Sequence, residues 1–205
     1  MKRRTRAVSV ALLAASLAAS SLLVSGCGAT NAGTAATVGT ETISDQELTD
    51  WAQGVMVAKG MAPTSIEADI TSNSLNLLIY LDLLDALAGA TGVTASQGEI
   101  DAAGKSLLQA GATPEQIEAS AAQSGIAPAA VPAFIRANVL TPKIQKVLAP
   151  NATPEEQTTV FQQALVTVAN ELGVTVNPRY GSWSSDSIKL GLPPSDLSVV
   201  PAPAE

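Results

Sequence analysis

The sequence contains no histidine, one cysteine and few aromatic residues, and these absences limit the chemistry available to the protein. Without histidine there is no Ser-His-Asp or Cys-His nucleophile, no histidine-ligated zinc and no imidazole base near neutral pH. A single cysteine excludes an intrachain disulfide and any site with several cysteine ligands. Aromatic residues make up 3% of the 205 residues and hydrophobic residues 46%, so we expect a folded chain with an aliphatic core.

The first 27 residues have the three parts of a lipoprotein signal peptide. Four basic residues lie within the first six positions, an apolar run of small residues covers 7–24, and Val24, Ser25 and Gly26 precede Cys27. We predict cleavage after residue 26 and lipidation of the Cys27 thiol. Two alternatives are a secretory peptide cut elsewhere, which leaves a free thiol, and a permanent transmembrane helix, which the diluting alanine and serine residues disfavour.

Cleavage would make the protein strongly acidic. It removes four of the 11 basic residues and none of the 18 acidic ones, which leaves a net charge of −11. Such a charge repels phosphate backbones and anionic headgroups, so we expect no nucleic-acid partner. The expected membrane contact is the bilayer itself through acylated Cys27, and the expected location is the extracytoplasmic face of the cell membrane, anchored by lipid.

Capping boxes and apolar periodicity predict a mainly α-helical single domain of about six helices. The capping boxes are Ser44 with Glu47, Thr64 with Glu67, Ser96 with Glu99, Thr113 with Gln116, and Thr153 with Glu156. The predicted helices cover about 44–60, 64–92, 97–110, 114–124, 128–148 and 154–172; Gly89 and Gly92 end the second, and Pro132 and Pro142 bend or split the fifth. The second helix is apolar almost all round from Leu75 to Leu87, so we expect neighbours to cover it on several sides.

The extended segments 36–43 and 174–176 predict a small two-stranded element that joins the two ends of the domain. The predicted organisation is a signal peptide (1–26), a flexible tether (27–35), the helical domain (36–183) and a disordered proline-containing tail (184–205). The stretch from Val174 to Trp183 is either a binding surface or, as we prefer, a strand and corner that lays Tyr180 or Trp183 over the helical core.

Several residue pairs have the spacing of a catalytic or metal site. Asp82 and Asp85 share a helix face, which suits two catalytic carboxylates or a calcium site, but we prefer a polar stripe on a buried helix. Glu155 and Glu156 lie in a first helical turn, where the dipole favours negative charge. Lys105 and Ser106 are adjacent and diverge by about 100° on a helix. We therefore predict no catalytic residue, no metal site, no cofactor and no enzymatic activity, and the sequence identifies no partner-binding residue.

The order of features in this sequence resembles the N-terminal domain of SurA- and PrsA-type envelope foldases. These features are the lipobox (Val24 to Cys27), the extended piece 36–43, the capped helix start Ser44-Asp45-Gln46-Glu47-Leu48, the further helices and the closing strand. That domain shares its helical fold with the chaperone domain of trigger factor. This sequence has Val38-Gly39-Thr40-Glu41 where the family has Val-Asn-Gly-Glu. The ending Asn177-Pro178-Arg179-Tyr180-Gly181 is similar to that of alanine-rich lipoproteins of high-GC Gram-positive bacteria.

The resemblance implies the chaperone half alone. The family's parvulin domain, which isomerises X-Pro bonds with the help of histidine, is missing, because the helices use nearly all of the mature chain. The resemblance thus implies a non-catalytic chaperone or protein-interaction module that holds apolar segments of unfolded or exported proteins between its helices. The alternative is a solute-binding or structural cell-envelope lipoprotein without chaperone activity.

Overall fold

The computed structural model describes residues 33–63, 67–109 and 111–194, and it confirms a mainly α-helical fold with a small sheet. The helices are α1 (Asp45–Ala58), α2 (Ala68–Thr91), α3 (Gln97–Gln109), α4 (Pro114–Gln123), α5 (Val131–Leu148) and α6 (Pro154–Leu172). The strands are β1 (Thr34–Val38), β2 (Glu41–Ser44), β3 (Val174–Val176), β4 (Ser182–Ser184) and β5 (Lys189–Gly191). The predicted signal peptide, Cys27 and most of the predicted tether lie outside the described residues.

The two ends of the helical region meet in one antiparallel sheet. Strand β1 lies between β2 and β3, with Ala36 opposite Val176 and Val38 opposite Val174. The predicted pairing of the N-terminal piece with 174–176 is therefore confirmed. A third strand is present because the chain reverses at Gly39, whose φ of +60° favours glycine, and β2 folds back onto β1. Ala35 is fully buried in this sheet, so the predicted tether ends before Thr34.

The prediction that the domain ends at residue 183 was wrong. Strands β4 and β5 form an antiparallel hairpin, in which Trp183 lies opposite Leu190. The Leu190 side chain is buried in the main core, and its backbone N–H donates to the Asn76 side-chain oxygen on α2 at 2.8 Å. A three-residue strand is too short to show an apolar period, which is why the sequence suggested a tail. Residues 195–205 of the predicted tail lie outside the described residues.

Helix α2 is the centre of the main core. It contacts α1, α5, α6, the three-stranded sheet and β5. Its fully or nearly fully buried side chains include Leu75, Ile79, Leu83, Leu84 and Leu87. Of the helices in the described residues, α2 alone is long and apolar enough to cross a membrane, and the same composition suits a core helix enclosed by protein.

Side-chain caps set most of the helix starts as predicted. Ser44 accepts a hydrogen bond from the Glu47 N–H at 3.1 Å, and full capping boxes begin α4 and α6 at Thr113 and Thr153. The bonds between Ser96 and Glu99 are also present. The start of α2 differs from the prediction: Glu67 is the N-cap and makes no side-chain capping bond, and Thr64 lies outside the described residues.

One further helix start differs from the prediction, whereas the end of α2 agrees with it. Of the two glycines expected to end α2, Gly92 does so in the left-handed conformation that closes a helix. The predicted fifth helix begins as a separate 3₁₀ turn over Pro128–Ala130, and Pro132 lies in the first turn of α5, where it removes no helical hydrogen bond. Pro142 lies inside α5 without ending it.

The aromatic residues near the C-terminus cover the core as expected. Tyr180 and Trp183 are partly buried against the main core cluster. The Tyr180 hydroxyl donates to the Asp45 carboxylate at 2.9 Å, and Arg179 forms a salt bridge with the same carboxylate. This contact joins the chain after β3 to the first residue of α1, so residues 34–191 contain their own core and closure.

We expect a chain that ends at Ser184 to be less stable than one that ends at Pro194. The shorter chain lacks β5 and the buried Leu190, and burial of a leucine side chain contributes about 1.5–3 kcal/mol. The midpoint of thermal unfolding should therefore fall by roughly 3–10 °C. Equal midpoints for the two chains would show that the β4–β5 hairpin does not stabilise the domain.

Candidate functional site

The two carboxylates that the sequence placed on one helix face border the same cavity but lie in different environments. The exposed Asp85 forms a salt bridge with Arg136 of α5. Asp82 is half-buried in a cavity of about 420 Å³ between α2 and the β1–β2 turn. Within the described part of the chain, no group of three or more cysteine, aspartate or glutamate residues could hold a metal ion.

Asp82 lies in an unfavourable environment for a negative charge. Burial and, after it, the nearby carboxylates of Glu47, Glu41 and Asp85 together raise its pKa from 3.8 to about 6. The cavity supplies no basic side chain to offset them, since its other lining residues are Val38, Thr40, Ala86 and Leu172. The charged Asp82 carboxylate therefore destabilises the folded state, and its protonation removes this destabilisation.

The other predicted pairs have local structural roles. The Glu156 carboxylate accepts hydrogen bonds from Thr153 in the capping box of α6, which lowers its pKa. Glu155 lies beside it in the first turn. The Ser106 hydroxyl donates to the Ala102 carbonyl within its own helix at 2.9 Å, and Lys105 is exposed beside it. These contacts bring neither Glu155 and Glu156 nor Lys105 and Ser106 to a shared cavity.

An open groove of about 1010 Å³ lies beside α1. One wall is a face of α1 that runs from Gln46 to Val57, and the other is the segment 127–133, which includes the 3₁₀ turn and the start of α5. The residues of this second wall are Ala127, Pro128, Ala129, Ala130 and Ala133. The groove is lined mainly by apolar atoms, and its volume lies at the upper end of the roughly 300–1,000 Å³ usual for small-molecule pockets.

Trp51 and Gly54 hold the two walls of the groove together. The Trp51 indole N–H donates to the Gly125 carbonyl at 3.0 Å, which joins α1 to the loop before the 3₁₀ turn. A Cβ atom at Gly54 would lie 3.3 Å from the Ala127 side chain, so the absence of a side chain permits the close approach of the walls. Ala52, Val55 and Met56 on the opposite side of α1 are buried in a second apolar cluster with Ile126, Ala127 and Ala130.

The groove exposes apolar side chains on both walls. Val57 is 60% exposed at one end, and Ala129 and Ala133 are exposed on the opposite wall. A second apolar cavity of about 360 Å³ lies on the far side of the same segment, between α3, α4 and α5, where it is lined by Leu107, Ile117, Phe134 and others. The chain from Ile126 to Ile135 thus separates two apolar depressions.

The sequence did not identify the groove. Half of its lining residues are alanine, proline or glycine, which carry no chemical signature. The one available signal was the alanine- and proline-rich run from Ala127 to Ala133 beside a helix that has an apolar residue, Val57, on its exposed face.

Comparisons with known proteins supply no relative from which a function could be transferred. No family model matches the sequence, no curated protein matches it, and no solved structure matches the fold. The function therefore has to be argued from the groove and from the sequence.

We expect Asp82→Asn to stabilise the protein near pH 7 and to change its stability little near pH 4. Because the pKa of Asp82 is raised to about 6 in the folded chain, the folded state binds a proton that the unfolded state has lost, and stability falls as pH rises from about 4 to 6. The variant should unfold a few degrees above the wild type at the higher pH, roughly 2–6 °C.

The measurement is the difference in thermal midpoint between variant and wild type at both pH values. Asp101→Asn, an exposed carboxylate on α3, is the matched control and should show no such pH-dependent difference. A constant difference for Asp82→Asn across this range would contradict the predicted titration.

Proposed function

We propose that the protein is a membrane-anchored extracytoplasmic lipoprotein that holds apolar segments of unfolded or exported proteins without catalysing a reaction. The observation that carries the proposal is the open apolar groove between α1 and the segment 127–133. The resemblance of the sequence to the N-terminal domain of SurA- and PrsA-type foldases supports the same function. A shallow groove with small apolar residues suits an extended polypeptide better than an enclosed small molecule.

The position of the groove agrees with an anchor at Cys27. Six residues separate Cys27 from Thr34, so lipid and domain are at most about 25 Å apart along the extended chain. Thr34 lies opposite Ser44 in the sheet, and Ser44 lines the groove. The groove therefore opens near the end of the domain that the proposed anchor would hold at the membrane surface, where exported chains emerge.

We expect Val57→Glu to weaken the binding of unfolded chains. The change places a charge in the apolar groove, and because Val57 is 60% exposed it should alter folding stability little. The assay is suppression of light scattering by citrate synthase as it unfolds thermally, with a chain that begins at Gly28. We expect at least a threefold rise in the concentration needed for half-maximal suppression, because the charged variant no longer buries about one apolar side chain of the bound segment.

Val147→Glu is the matched control, because Val147 has the same side chain at 56% exposure on α5 and does not line the groove. It should suppress aggregation as the wild type does. If the wild-type chain fails to suppress aggregation at all, or if both variants lose activity equally, the groove is not a chaperone site and the alternative of a structural or solute-binding lipoprotein gains support.

For the anchor, we expect Cys27→Ser to prevent incorporation of labelled palmitate and to release the protein from the membrane fraction. The reason is that the thiol is the acceptor of the diacylglyceryl group, and the chain has no second cysteine. Fractionation and labelling of cells that express the wild type and the variant in parallel provide the measurement. Unchanged membrane retention of the variant would indicate that the apolar run 7–24 stays in the bilayer.

A further inference from the structure

The groove has carboxylates on one wall and no basic side chain. Glu47 and Asp50 stand on the α1 wall, and Asp50 accepts a hydrogen bond from the Gln46 side chain at 2.8 Å. Three of the seven basic residues in the described part of the chain form salt bridges elsewhere, and these pairs are Arg136 with Asp85, Lys143 with Glu99, and Arg179 with Asp45. None of the seven lines the groove.

The negative charge is concentrated at the end where α1 begins. Glu47 and Asp50 occupy the first two turns of the helix, whereas Val57 and Pro63 line the other end. Behind Glu47 lies the cavity with Glu41 and Asp82, and the influence of Glu47 on the pKa of Asp82 shows that these charges act on one another. A ligand in the groove thus meets an apolar end and an acidic end.

The wall opposite the carboxylates cannot offset their charge. It contains alanine and proline only, and neither side chain offers a hydrogen-bonding group. Its small side chains leave space for larger apolar side chains of a ligand. Apart from the Gln46 side chain, which donates to Asp50, the acidic end is left to water or to positive charge that the ligand itself brings.

We propose that the groove prefers apolar polypeptide segments flanked by lysine or arginine, with the basic residues beside Glu47 and Asp50. The inference rests on the proposed function and adds the class of client to it. Two exposed charge pairs of this kind change an affinity by roughly two- to tenfold at low salt. The basic residues would set the direction in which a segment lies, since the Val57 end of the groove has no acidic lining residue.

The test compares two synthetic peptides with one apolar core of alternating alanine and leucine, flanked at one end by two lysines or by two glutamates. Binding to the chain that begins at Gly28 is measured by isothermal titration calorimetry at low salt and at 1 M salt. We expect the lysine peptide to bind about fivefold more tightly at low salt and the difference to vanish at 1 M, where charges are screened over about 3 Å.

The double variant Glu47→Gln/Asp50→Asn should bind the two peptides equally, because it removes the negative charge that distinguishes them. The matched control is Glu118→Gln/Asp101→Asn, which removes two exposed carboxylates outside the groove, one of them also hydrogen-bonded to a glutamine four residues earlier. This control should retain the full preference. Thermal midpoints of both double variants separate a loss of binding from a loss of folding.

The outcomes distinguish the two proposals. Equal binding of both peptides to the wild type, or a preference that survives in the groove variant or at 1 M salt, would overturn the charge preference and leave the chaperone proposal standing. If neither peptide binds, both proposals are overturned. A preference that is lost in the groove variant and kept in the control supports both.

Discussion

The fold depends on the need to cover a helix that has almost no polar face. The apolar side chains of α2 point in most directions, so a single partner could not remove them from water. Helices α1, α5 and α6, the sheet and strand β5 each cover one side. Two polar side chains of α2 make contacts at its edges, where Asn76 accepts from the Leu190 N–H and Asp85 pairs with Arg136. The other elements are arranged around this helix.

Closure of the chain ends completes that cover. Strand β1 pairs with β3, and the residues that follow β3 return to the start of α1. There the Arg179 guanidinium and the Tyr180 hydroxyl hold the pKa of Asp45 below its ordinary value, and the guanidinium lies 4.7 Å from the centre of the Tyr180 ring. The Arg179–Asp45 salt bridge and the Tyr180–Asp45 hydrogen bond each join residues more than 130 positions apart in the sequence. These contacts join the first residue of α1 to the segment that follows β3.

The groove is a consequence of how α1 is shared between two clusters. Leu48 packs in the main core, whereas Ala52, Val55 and Met56 pack in the second cluster with the loop before α5. The remaining face of α1 therefore points outwards beside a wall of small residues. Larger side chains at Gly54 or Ala127 would push the walls of the groove apart. These small residues therefore determine the shape of the groove although they have no charged or reactive groups.

The sequence by itself determined the local elements. Capping boxes and prolines placed the starts of α1, α3, α4 and α6, because these signals act within one helical turn, and the all-round apolar pattern of α2 predicted its central place. Only the tertiary structure decided the third strand, the β4–β5 hairpin, the different environments of Asp82 and Asp85, and the groove. Each depends on contacts between residues far apart in the chain, such as Leu190 with Asn76 and Trp51 with Gly125, and no local pattern encodes which distant residue will be the partner.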